Sequence, residues 1–468
     1  MKLNKLLNRK CEFNYQVSLI CDNSKNCIEN SIFVMHKNND DYIEEAIKNG
    51  AKTIIAEDFK RIYSNINLIK VSNTYKTLGM LLKKYYRKII SKFKVIGITG
   101  TNGKTSTTYL IYNYLKKVNQ EVVLIGSNGI FYDDIHIETN NTTPNLSLIY
   151  QTIVKYYQSH KNNKTKYLVI ECSSQGIRNN RLFGISFDVV GFTNITKDHF
   201  DYHHDESDYI FSKALLFNQL KENSLVVINK QNCHFELLSN ICPKEVISYG
   251  INGSYSYKII NKEQTTTAFK IIKEEKEYEL LTPLLGSYQI ENILLAFVIV
   301  ECLELNVLEF IRFIKDFSLI PGRLNRYFIK DKTIYIDYAH TEVAVLKVLD
   351  ELSKQYSKIV CIFGCGGSRD KTKRPIIGNI VERYCHTFII TEDNNREENF
   401  FDIVNDILQG IKKKEPFIIQ NRFTAIQYAL NILKEDEVLL ILGKGIEKTK
   451  TSLGEFSDIE MVKEILNV

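Results

Sequence analysis

Apolar and polar residues alternate along the chain in segments of two kinds. Short runs of strand-forming residues recur throughout, and longer segments with a helical pattern separate them. This alternation predicts an α/β protein organised in three successive blocks.

The first block, residues 1–92, is predicted to be a small α/β unit. It contains the strands SIFVM and AKTIIAE, with the helical segment DYIEEAIKNG between them and TLGMLLKKYYRKIISKF as one helix near its end. The second block, residues 93–322, has strands at VIGITG, VVLIG, YLVIEC, DVVGFTNI and SLVVIN. Helix-length segments between these strands are typical of a mainly parallel sheet, whose ligands bind at the carboxyl ends of the strands.

The third block, residues 323–468, repeats the α/β alternation. Strands at TIYIDYA, KIVCIFG, HTFIITED and EVLLILG alternate with helices predicted near 341–355, 372–383, 400–411 and 423–434. We therefore expect a second, doubly wound domain, joined to the central block at the Pro-Gly turn of IPGRLN. No internal repeat is visible.

Composition narrows the class of protein. The chain has 468 residues, of which 44% are hydrophobic and 25% charged, as expected for several globular domains. The net charge of +6 is spread among acidic residues, so no basic arm indicates nucleic-acid binding. The longest apolar run, ILLAFVIV, is too short to span a membrane, and the N-terminal segment has no apolar core of signal-peptide length. Ten cysteines without a CxxC pair favour reduced thiols, and we expect a cytoplasmic monomer.

The segment KVIGITGTNGKTST has the order of a phosphate-binding loop. A strand, a glycine turn, a Gly-Lys-Thr triplet and a helix follow one another, although Ile98 stands where the Walker pattern has a glycine. Backbone N–H groups and a lysine would face the phosphates there, and a threonine hydroxyl could bind Mg²⁺. The alternative is a glycine turn that only starts a helix. The candidate residues are Gly100, Thr101, Asn102, Gly103, Lys104, Thr105 and Ser106.

Two further segments could serve a metal beside this loop. Glu171 ends the apolar strand YLVIEC, although a charged residue at a strand end is common in any case. The strand DVVGFTNI is followed by a cluster that could bind a metal, act as a general base or be a solvated loop. Its members are Asp198, His199, Asp201, His203 and His204. Mg²⁺ is favoured over zinc because no cysteine joins the cluster.

Ten ordered motifs make the whole chain resemble the Mur ligases. They are GITGTNGKTST, ECSS, TNITKDHFDYH, YIFSKALLF, GSYQIENILLA, IPGR, IDYAHT, FGCGGSRDKTKRP, DNNR and GKGIE. The chain is most similar to the members that add the third residue of the peptidoglycan stem peptide. The resemblance implies an N-terminal domain that binds a UDP-linked substrate, a central P-loop ATPase domain and a C-terminal Rossmann-like domain.

The resemblance also implies an activity, an ATP-dependent amide ligation through an acyl phosphate in peptidoglycan precursor synthesis. Two alternatives stay open. One is another ligase of related type, such as a folylpolyglutamate synthase or the ligase that adds D-Ala-D-Ala. The other is a P-loop protein that switches without forming a bond.

Catalytic and nucleotide roles follow from the same resemblance. Lys104, Glu171, His199 and Lys213 are implied to be catalytic, and Thr105, Glu171 and His199 to hold Mg²⁺. Lys213 is implied to be carbamylated and to help place a metal, whereas its own surroundings in the sequence predict an exposed helix lysine. The further ATP contacts implied are Asn292, Arg323, Asp337 and His340.

The UDP-linked substrate implied is UDP-N-acetylmuramoyl-L-alanyl-D-glutamate. Its matching positions are Ser24, Asn141, Thr142, Thr143, Ser173, Asn179 and Arg181, which could otherwise be polar turn residues. Ser24 lies in a degraded form of the family's Asp-Ser-Arg element, and Asn179 replaces a glutamine, so these two matches are the weakest.

The amino acid added is predicted from the third block. Family members that add meso-diaminopimelate have Asp-Asn-Pro-Arg where this chain has DNNR, which keeps the arginine. An arginine can hold the second carboxylate of diaminopimelate in a bidentate manner, and lysine has no such group. L-Lysine is the alternative acceptor. The contacts implied are Arg374, Asp393, Asn394, Arg396, Gly443 and Glu447.

Overall fold

The computed structural model describes residues 1–37, 39–139, 141–196, 202–263, 265–317, 319–451 and 454–468. Its strands form three larger sheets and one short hairpin, and helices cover the larger sheets. The three larger sheets fall in turn within the three predicted blocks, and the exact boundaries of those blocks stay a prediction.

The first sheet has four parallel strands in the order β1-β2-β3-β4. Its strands are β1 (Leu19–Cys21), β2 (Ser31–Val34), β3 (Ala51–Ala56) and β4 (Asn67–Lys70). The helices of this region are α1 (Leu3–Leu7), α2 (Asp40–Lys48), α3 (Thr74–Tyr85) and α4 (Arg87–Ile90), with a 3₁₀ turn at Ser24–Asn26. The segment predicted as one helix is thus divided in two at Tyr86, whose ring packs against Tyr85 and Tyr150.

The second sheet has eleven strands in the order β15-β14-β13-β12-β11-β10-β5-β9-β6-β7-β8. Its strands are β5 (Phe93–Thr99), β6 (Glu121–Gly126), β7 (Gly129–Tyr132), β8 (Ile135–Ile137), β9 (Lys166–Glu171), β10 (Phe187–Phe192), β11 (Leu220–Asn229), β12 (Val246–Tyr249), β13 (Tyr255–Lys262), β14 (Thr267–Lys273) and β15 (Lys276–Thr282). The strands from β12 through to β6 in this order are parallel, and antiparallel hairpins extend both ends.

Helices cover both faces of this central sheet. They are α5 (Lys104–Lys117), α6 (Leu146–Ser159), α7 (Ser174–Arg178), α8 (Glu206–Ala214), α9 (Phe235–Ile241), α10 (Ser287–Cys302) and α11 (Val307–Asp316), with a 3₁₀ turn at Leu215–Gln219. Successive side chains of β5 enter different cores, because Val95 belongs to the cluster on one face and Ile96 to the cluster on the other. A strand buried on both faces explains the nearly continuous apolar run of β5.

The third sheet has six strands in the order β16-β17-β21-β18-β19-β20, all parallel except the antiparallel pair β16 and β17. The strands of this region are β16 (Asn325–Ile329), β17 (Lys332–Asp337), β18 (Ile359–Phe363), β19 (Thr387–Ile390), β20 (Phe417–Ile418) and β21 (Val438–Leu442), with the hairpin β22 (Thr449–Thr451) and β23 (Gly454–Phe456). Its helices are α12 (Glu342–Ser353), α13 (Lys373–Tyr384), α14 (Phe400–Leu408), α15 (Arg422–Ile432) and α16 (Asp458–Leu466).

These sheets confirm the predicted α/β class with a mainly parallel central sheet and a second, mixed C-terminal sheet. The strands β10, β5 and β9 are neighbours, so the segments that follow them meet at one edge of the sheet. Across the part of the chain that the structure describes, no helix combines the length and apolar composition needed to cross a bilayer.

Candidate active site

The loop between β5 and α5 has the conformation that a phosphate cradle needs. Gly100 and Gly103 have φ values of 139° and 89°, a region that side chains other than glycine rarely adopt. A Cβ on Gly103 would lie 2.3 Å from Asn292 Oδ1, so the loop also passes too close to α10 for a larger residue. The loop ends directly at the N-terminus of α5, where free N–H groups can face an anion.

The segment that follows β10 holds this loop in place. The Thr101 N–H donates to Asn194 O at 2.6 Å, and the Asn102 N–H donates to Asn194 Oδ1 at 3.1 Å. The Thr193 hydroxyl donates to Asn102 O at 2.7 Å. The TNIT segment of the sequence therefore shapes the loop from a neighbouring strand, which is a role that the sequence analysis did not assign.

Two lysines meet at one carbonyl of the loop. Lys104 Nζ donates to Gly100 O at 3.0 Å and to Thr101 O at 2.8 Å, and Lys213 Nζ donates to the same Gly100 O at 2.9 Å. The Lys213 ammonium also lies 4.3 Å from the centre of the Tyr209 ring. Because Lys213 is only 1% exposed, its interpretation as a surface helix lysine is wrong.

Glu171 is buried at the end of β9, beside the loop. Its carboxylate accepts hydrogen bonds from the Thr105 hydroxyl at 3.1 Å, the Ser127 N–H at 3.0 Å and the Ser127 hydroxyl at 3.2 Å. Burial raises the pKa of Glu171, and the nearby Lys104 charge opposes that rise. The structure thus joins Thr105 and Glu171, as the sequence predicted from the carboxyl ends of neighbouring strands.

Oxygen atoms are the donors available for a metal here. The Thr105 hydroxyl and the Glu171 carboxylate are hard ligands that suit Mg²⁺. His199, together with Asp198 and Asp201 of the predicted cluster, lies outside the described residues. Among the described residues no group of three or more His, Cys, Asp or Glu side chains could hold a metal. His203 is buried between Ser174 and Ser212, 3.0 Å and 3.4 Å from their hydroxyls, so it packs α8 against α7.

The nucleotide residues predicted in the second and third blocks meet at the phosphate loop. Arg323 NH2 donates to Thr105 Oγ1 at 3.0 Å, which links the two blocks directly. Asn292 is buried on α10, and its amide donates to Gln289 Oε1 at 3.0 Å. The orientation of Asn292 is therefore set by Gln289, so that its Oδ1 faces Gly103.

Asp337 is buried at the end of β17, near the same place. Its carboxylate accepts the Leu324 and Ala339 N–H groups, each at 2.6 Å. Burial raises the pKa of Asp337 to about 6, although the Arg323 charge and these N–H donors lower it. His340 follows two residues beyond Ala339's neighbour Tyr338, and its Nδ1 lies 2.9 Å from Tyr338 O.

The predicted UDP-substrate residues divide into two groups. Thr143 is fully buried, and its hydroxyl donates to Glu171 O at 2.7 Å and accepts the Ser173 N–H at 3.0 Å. Arg181 NH1 donates to Thr143 O at 3.0 Å. Asn141, Thr142, Ser173 and Arg181 line the central cavity, and Thr143 supports them from behind.

Ser24 and Asn179 do not reach that cavity. The Ser24 hydroxyl donates to Glu45 Oε2 at 2.5 Å, and Asn179 Oδ1 accepts a hydrogen bond from the Tyr202 hydroxyl at 2.9 Å. Neither residue belongs to the part of the cavity lining that the structure describes. These are the two positions where the chain departs from the pattern it resembles.

The loops of the third block bring Arg396 and Glu447 to the cavity. Arg396 is exposed, and its NH1 donates to Gly367 O at 2.7 Å and to Asn394 O at 3.2 Å. Glu447 accepts from the Tyr338 hydroxyl at 2.7 Å and from Asn394 Nδ2 at 3.0 Å.

Two backbone features of these loops fix the acidic side of the site. Gly443 has a φ of 107°, and a Cβ there would lie 2.7 Å from Asp393 Oδ2. Tyr338 was missed as a site residue, although the motif IDYAHT contained it. Its ring lies 4.6 Å from the Arg323 guanidinium while its hydroxyl holds Glu447, so it connects the phosphate loop with the third block.

Arg374 does not face the cavity, contrary to its predicted role as a direct contact. It is fully buried, and its NH1 and NH2 donate to the Glu398 carboxylate at 2.8 and 2.7 Å, to Asp406 Oδ2 at 2.8 Å and to Gly366 O at 3.1 Å. The Arg374 hydrogen bonds hold the pKa of Glu398 well below its ordinary value. Two carboxylates thus draw Arg374 behind the loop that it supports.

One cavity of about 680 Å³ unites these elements. Its walls come from the phosphate loop, the segments after β6 and β9, the helices α10 and α12, and the loops of the third sheet. The predicted site residues that line it are Thr101, Asn102, Gly103, Lys104, Thr105, Ser106, Asn141, Thr142, Ser173, Arg181, Asn292, Arg323, Asp337, His340, Asp393, Asn394, Arg396, Gly443 and Glu447.

Comparison with known families gives two matches along the chain. Residues 98–300 match the model of the Mur ligase middle domain, and residues 322–445 match that of the Mur ligase glutamate ligase domain.

Similar proteins extend over nearly the whole chain. The UDP-N-acetylmuramoyl-L-alanyl-D-glutamate--2,6-diaminopimelate ligase of Aquifex aeolicus is 35% identical over 91% of this chain and 88% of its own length. The ligase of the same name from Caldanaerobacter subterraneus is 32% identical over 97% and 95%. Among solved structures, a ligase of this name has a TM-score of 0.70 at 22% identity, covering 100% of this chain and 99% of its own. The MurF ligase from Thermotoga maritima in complex with ADP has a TM-score of 0.69 at 17% identity, covering 96% and 97%.

Proposed function

The chain belongs to the Mur ligase family, and we propose that it joins meso-2,6-diaminopimelate to UDP-N-acetylmuramoyl-L-alanyl-D-glutamate with hydrolysis of ATP to ADP and phosphate. The product would be a precursor of peptidoglycan. We also propose that residues 1–92, 93–322 and 323–468 bind the UDP-linked substrate, ATP and the amino acid, respectively.

The observation that carries this proposal is the composition of the single cavity of about 680 Å³. A phosphate loop, polar residues beside Glu171, and an arginine and a glutamate from the third block all open into the same space. A ligase needs this arrangement because a nucleotide, an acid and an amine must meet within bonding distance. A nucleotide switch has no need for the third set of residues.

The chemistry converts a poor leaving group into a good one. The free D-glutamate carboxylate of the UDP-linked substrate attacks the γ-phosphorus of ATP, which releases ADP and forms an acyl phosphate. The amine of the incoming amino acid then attacks the acyl carbon, phosphate leaves, and the amine gives up a proton. Positioning and neutralisation of negative charge contribute most of the rate in such a transfer.

Lys104, Arg323 and the N-terminus of α5 would neutralise the phosphates. Thr105 and Glu171, with His199 and carbamylated Lys213, would hold Mg²⁺, which when bound supplies positive charge between phosphate and carboxylate oxygens. The position of Lys213 supports this assignment, since its Nζ lies at the same loop carbonyl as that of Lys104. Asp337, Asn292 and His340 would contact the nucleoside.

The acceptor site supports diaminopimelate over lysine through its charges. Arg396 and Glu447 lie on neighbouring loops joined by Asn394, whose backbone oxygen accepts from Arg396 while its amide donates to Glu447. Diaminopimelate carries a carboxylate and an ammonium at its far end, so both charges would be matched. L-Lysine would leave the Arg396 guanidinium without a carboxylate.

The UDP-linked substrate would enter along Asn141, Thr142, Ser173 and Arg181. Arg181 is a cation on the cavity wall that suits an anionic peptide or diphosphate. Ser24, Asn179 and Thr143 would act through the supporting contacts that they make rather than by touching substrate. Arg374 would likewise act by holding the loop that contains Gly366.

Phosphate release tests the proposal. Purified protein with ATP, Mg²⁺ and the UDP-linked dipeptide should release phosphate in proportion to added meso-diaminopimelate, and the product should gain the mass of one diaminopimelate residue. L-Lysine at the same concentration is the matched control. A preference for lysine would refute the role given to Arg396, and release that ignores both amines would refute ligation.

A further inference from the structure

The cavity continues beyond the phosphate loop into a space between α10 and α12. Asn292 contacts the loop at Gly103, and on the same helix Tyr288 and Glu291 also line the cavity. Facing them, α12 contributes Val343, Ala344, Lys347 and Val348, whose spacing places them on one face of the helix. An aromatic ring and three small aliphatic side chains enclose a space that suits a flat heterocyclic base.

Glu291 is the carboxylate in this space. It is half-buried, and burial raises its pKa while the Lys347 charge opposes the rise. The buried side chain of Asn229, at the end of β11, forms a hydrogen bond with it.

The amide of Asn229 is oriented by its own backbone partner. Asn229 Oδ1 accepts the Gln231 N–H at 2.8 Å, so its amide nitrogen is the atom left to donate to Glu291. One acceptor position of Glu291 is therefore used by Asn229. The remaining lone pairs of the carboxylate face the cavity as acceptors for a donor on the base.

We infer that Glu291 reads the base of the nucleotide, by accepting a hydrogen bond from the 6-amino group of adenine. The inference rests on the proposed use of ATP. Hypoxanthine and guanine carry an oxygen at this position, and an oxygen beside a half-buried carboxylate would leave two acceptors facing each other without a proton. Guanine could instead offer two N–H groups to a carboxylate, but Asn229 already occupies one side of Glu291.

Titration calorimetry with Mg²⁺ and ATP, ITP or GTP, without the other substrates, tests the inference. Wild-type protein should bind ATP about tenfold more tightly than ITP, as expected for one hydrogen bond to a charged acceptor. Glu291→Gln can turn its amide nitrogen toward a 6-oxo group, so the preference should fall to about twofold or vanish. Glu309→Gln, on the exposed face of α11, is the matched control and should keep the wild-type ratio.

The outcomes separate the two proposals. Equal binding of ATP and ITP by the wild-type protein overturns the role of Glu291, and this measurement does not depend on the folding of any variant. Tighter binding of GTP than of ATP also overturns it, and so does an unchanged ratio in Glu291→Gln. Failure to bind any of the three nucleotides overturns the proposed ATP-dependent function itself, and the inference with it.

Discussion

Gly126 gives a direct test of how Glu171 is held. Gly126 ends β6, and a Cβ on it would lie 2.2 Å from Glu171 Oε1 and 2.8 Å from Glu171 Cδ. The Glu171 carboxylate cannot yield freely, because Ser127 and Thr105 hold it and it is only 1% exposed. Gly126→Ala should therefore push the carboxylate away from Thr105.

The cost follows from the contacts that must change. Overpacking a buried site by one methyl group costs about 1–3 kcal/mol. The displaced carboxylate would also weaken at least one charge-assisted hydrogen bond, worth about 1.5–3 kcal/mol. We expect Gly126→Ala to lower the free energy of unfolding by about 3 kcal/mol and to reduce the rate of phosphate release at least tenfold.

A double-mutant cycle with Glu171→Ala isolates the cause. Truncating Glu171 removes the side chain that the new methyl group meets, so Gly126→Ala should cost little in that background. Urea unfolding and phosphate release would be measured for all four proteins. If the two substitutions are additive in stability, the clash does not act through Glu171 and the reasoning fails.

Three further changes probe the rest of the cavity. Arg396→Ala should raise KM for diaminopimelate at least tenfold and leave KM for ATP within about twofold, because a charge-assisted bond to one substrate is lost; equal increases would contradict its assigned role. Tyr338→Phe removes the 2.7 Å bond to Glu447 but keeps the ring over Arg323, so KM for the amino acid should rise about threefold to tenfold and KM for ATP should not. Burial raises the pKa of Asp337 from 3.8 to about 6, so the folded state binds this proton more tightly and stability from this group falls as pH rises through that window. The free energy of unfolding of the wild type minus that of Asp337→Asn should drop by about 2 kcal/mol between pH 4 and 7 in urea titrations, and a rise would refute the assignment.

The alternation of apolar runs predicted the central strands well, because strands buried on both faces leave a continuous apolar signal. It did not predict the antiparallel extension from β13 to β15. The strand Tyr255–Lys262 has mostly exposed or half-buried residues, so no strong apolar run marks it. The break at Tyr86 was missed for a different reason, since its cause is packing against Tyr150, a residue distant in sequence.

The position of Arg374 shows the limit of residue matching in the candidate site. Its partners Glu398 and Asp406 lie 24 and 32 positions away, and only the fold brings them together. Strand-end residues such as Glu171 were predictable, because parallel strands must end at one edge. A side chain in the interior of a helix has no such rule, and its direction depends on which charged groups the neighbouring elements present.

Lys213 shows that the sequence contained a signal which a general rule overrode. Tyr209, Ile210 and Ala214 are buried on α8, and Lys213 lies three or four positions from the first two, on the same face. Helical spacing therefore places its side chain inward, whereas the usual exposure of lysines predicts the opposite. In the structure Phe211, on the other face, is 51% exposed and Lys213 only 1%. A buried ammonium is costly unless polar groups meet it, and Gly100 O and the Tyr209 ring do so here. An apolar residue would fill this position at lower cost, so the retention of a lysine against the phosphate loop is better explained by catalysis than by stability.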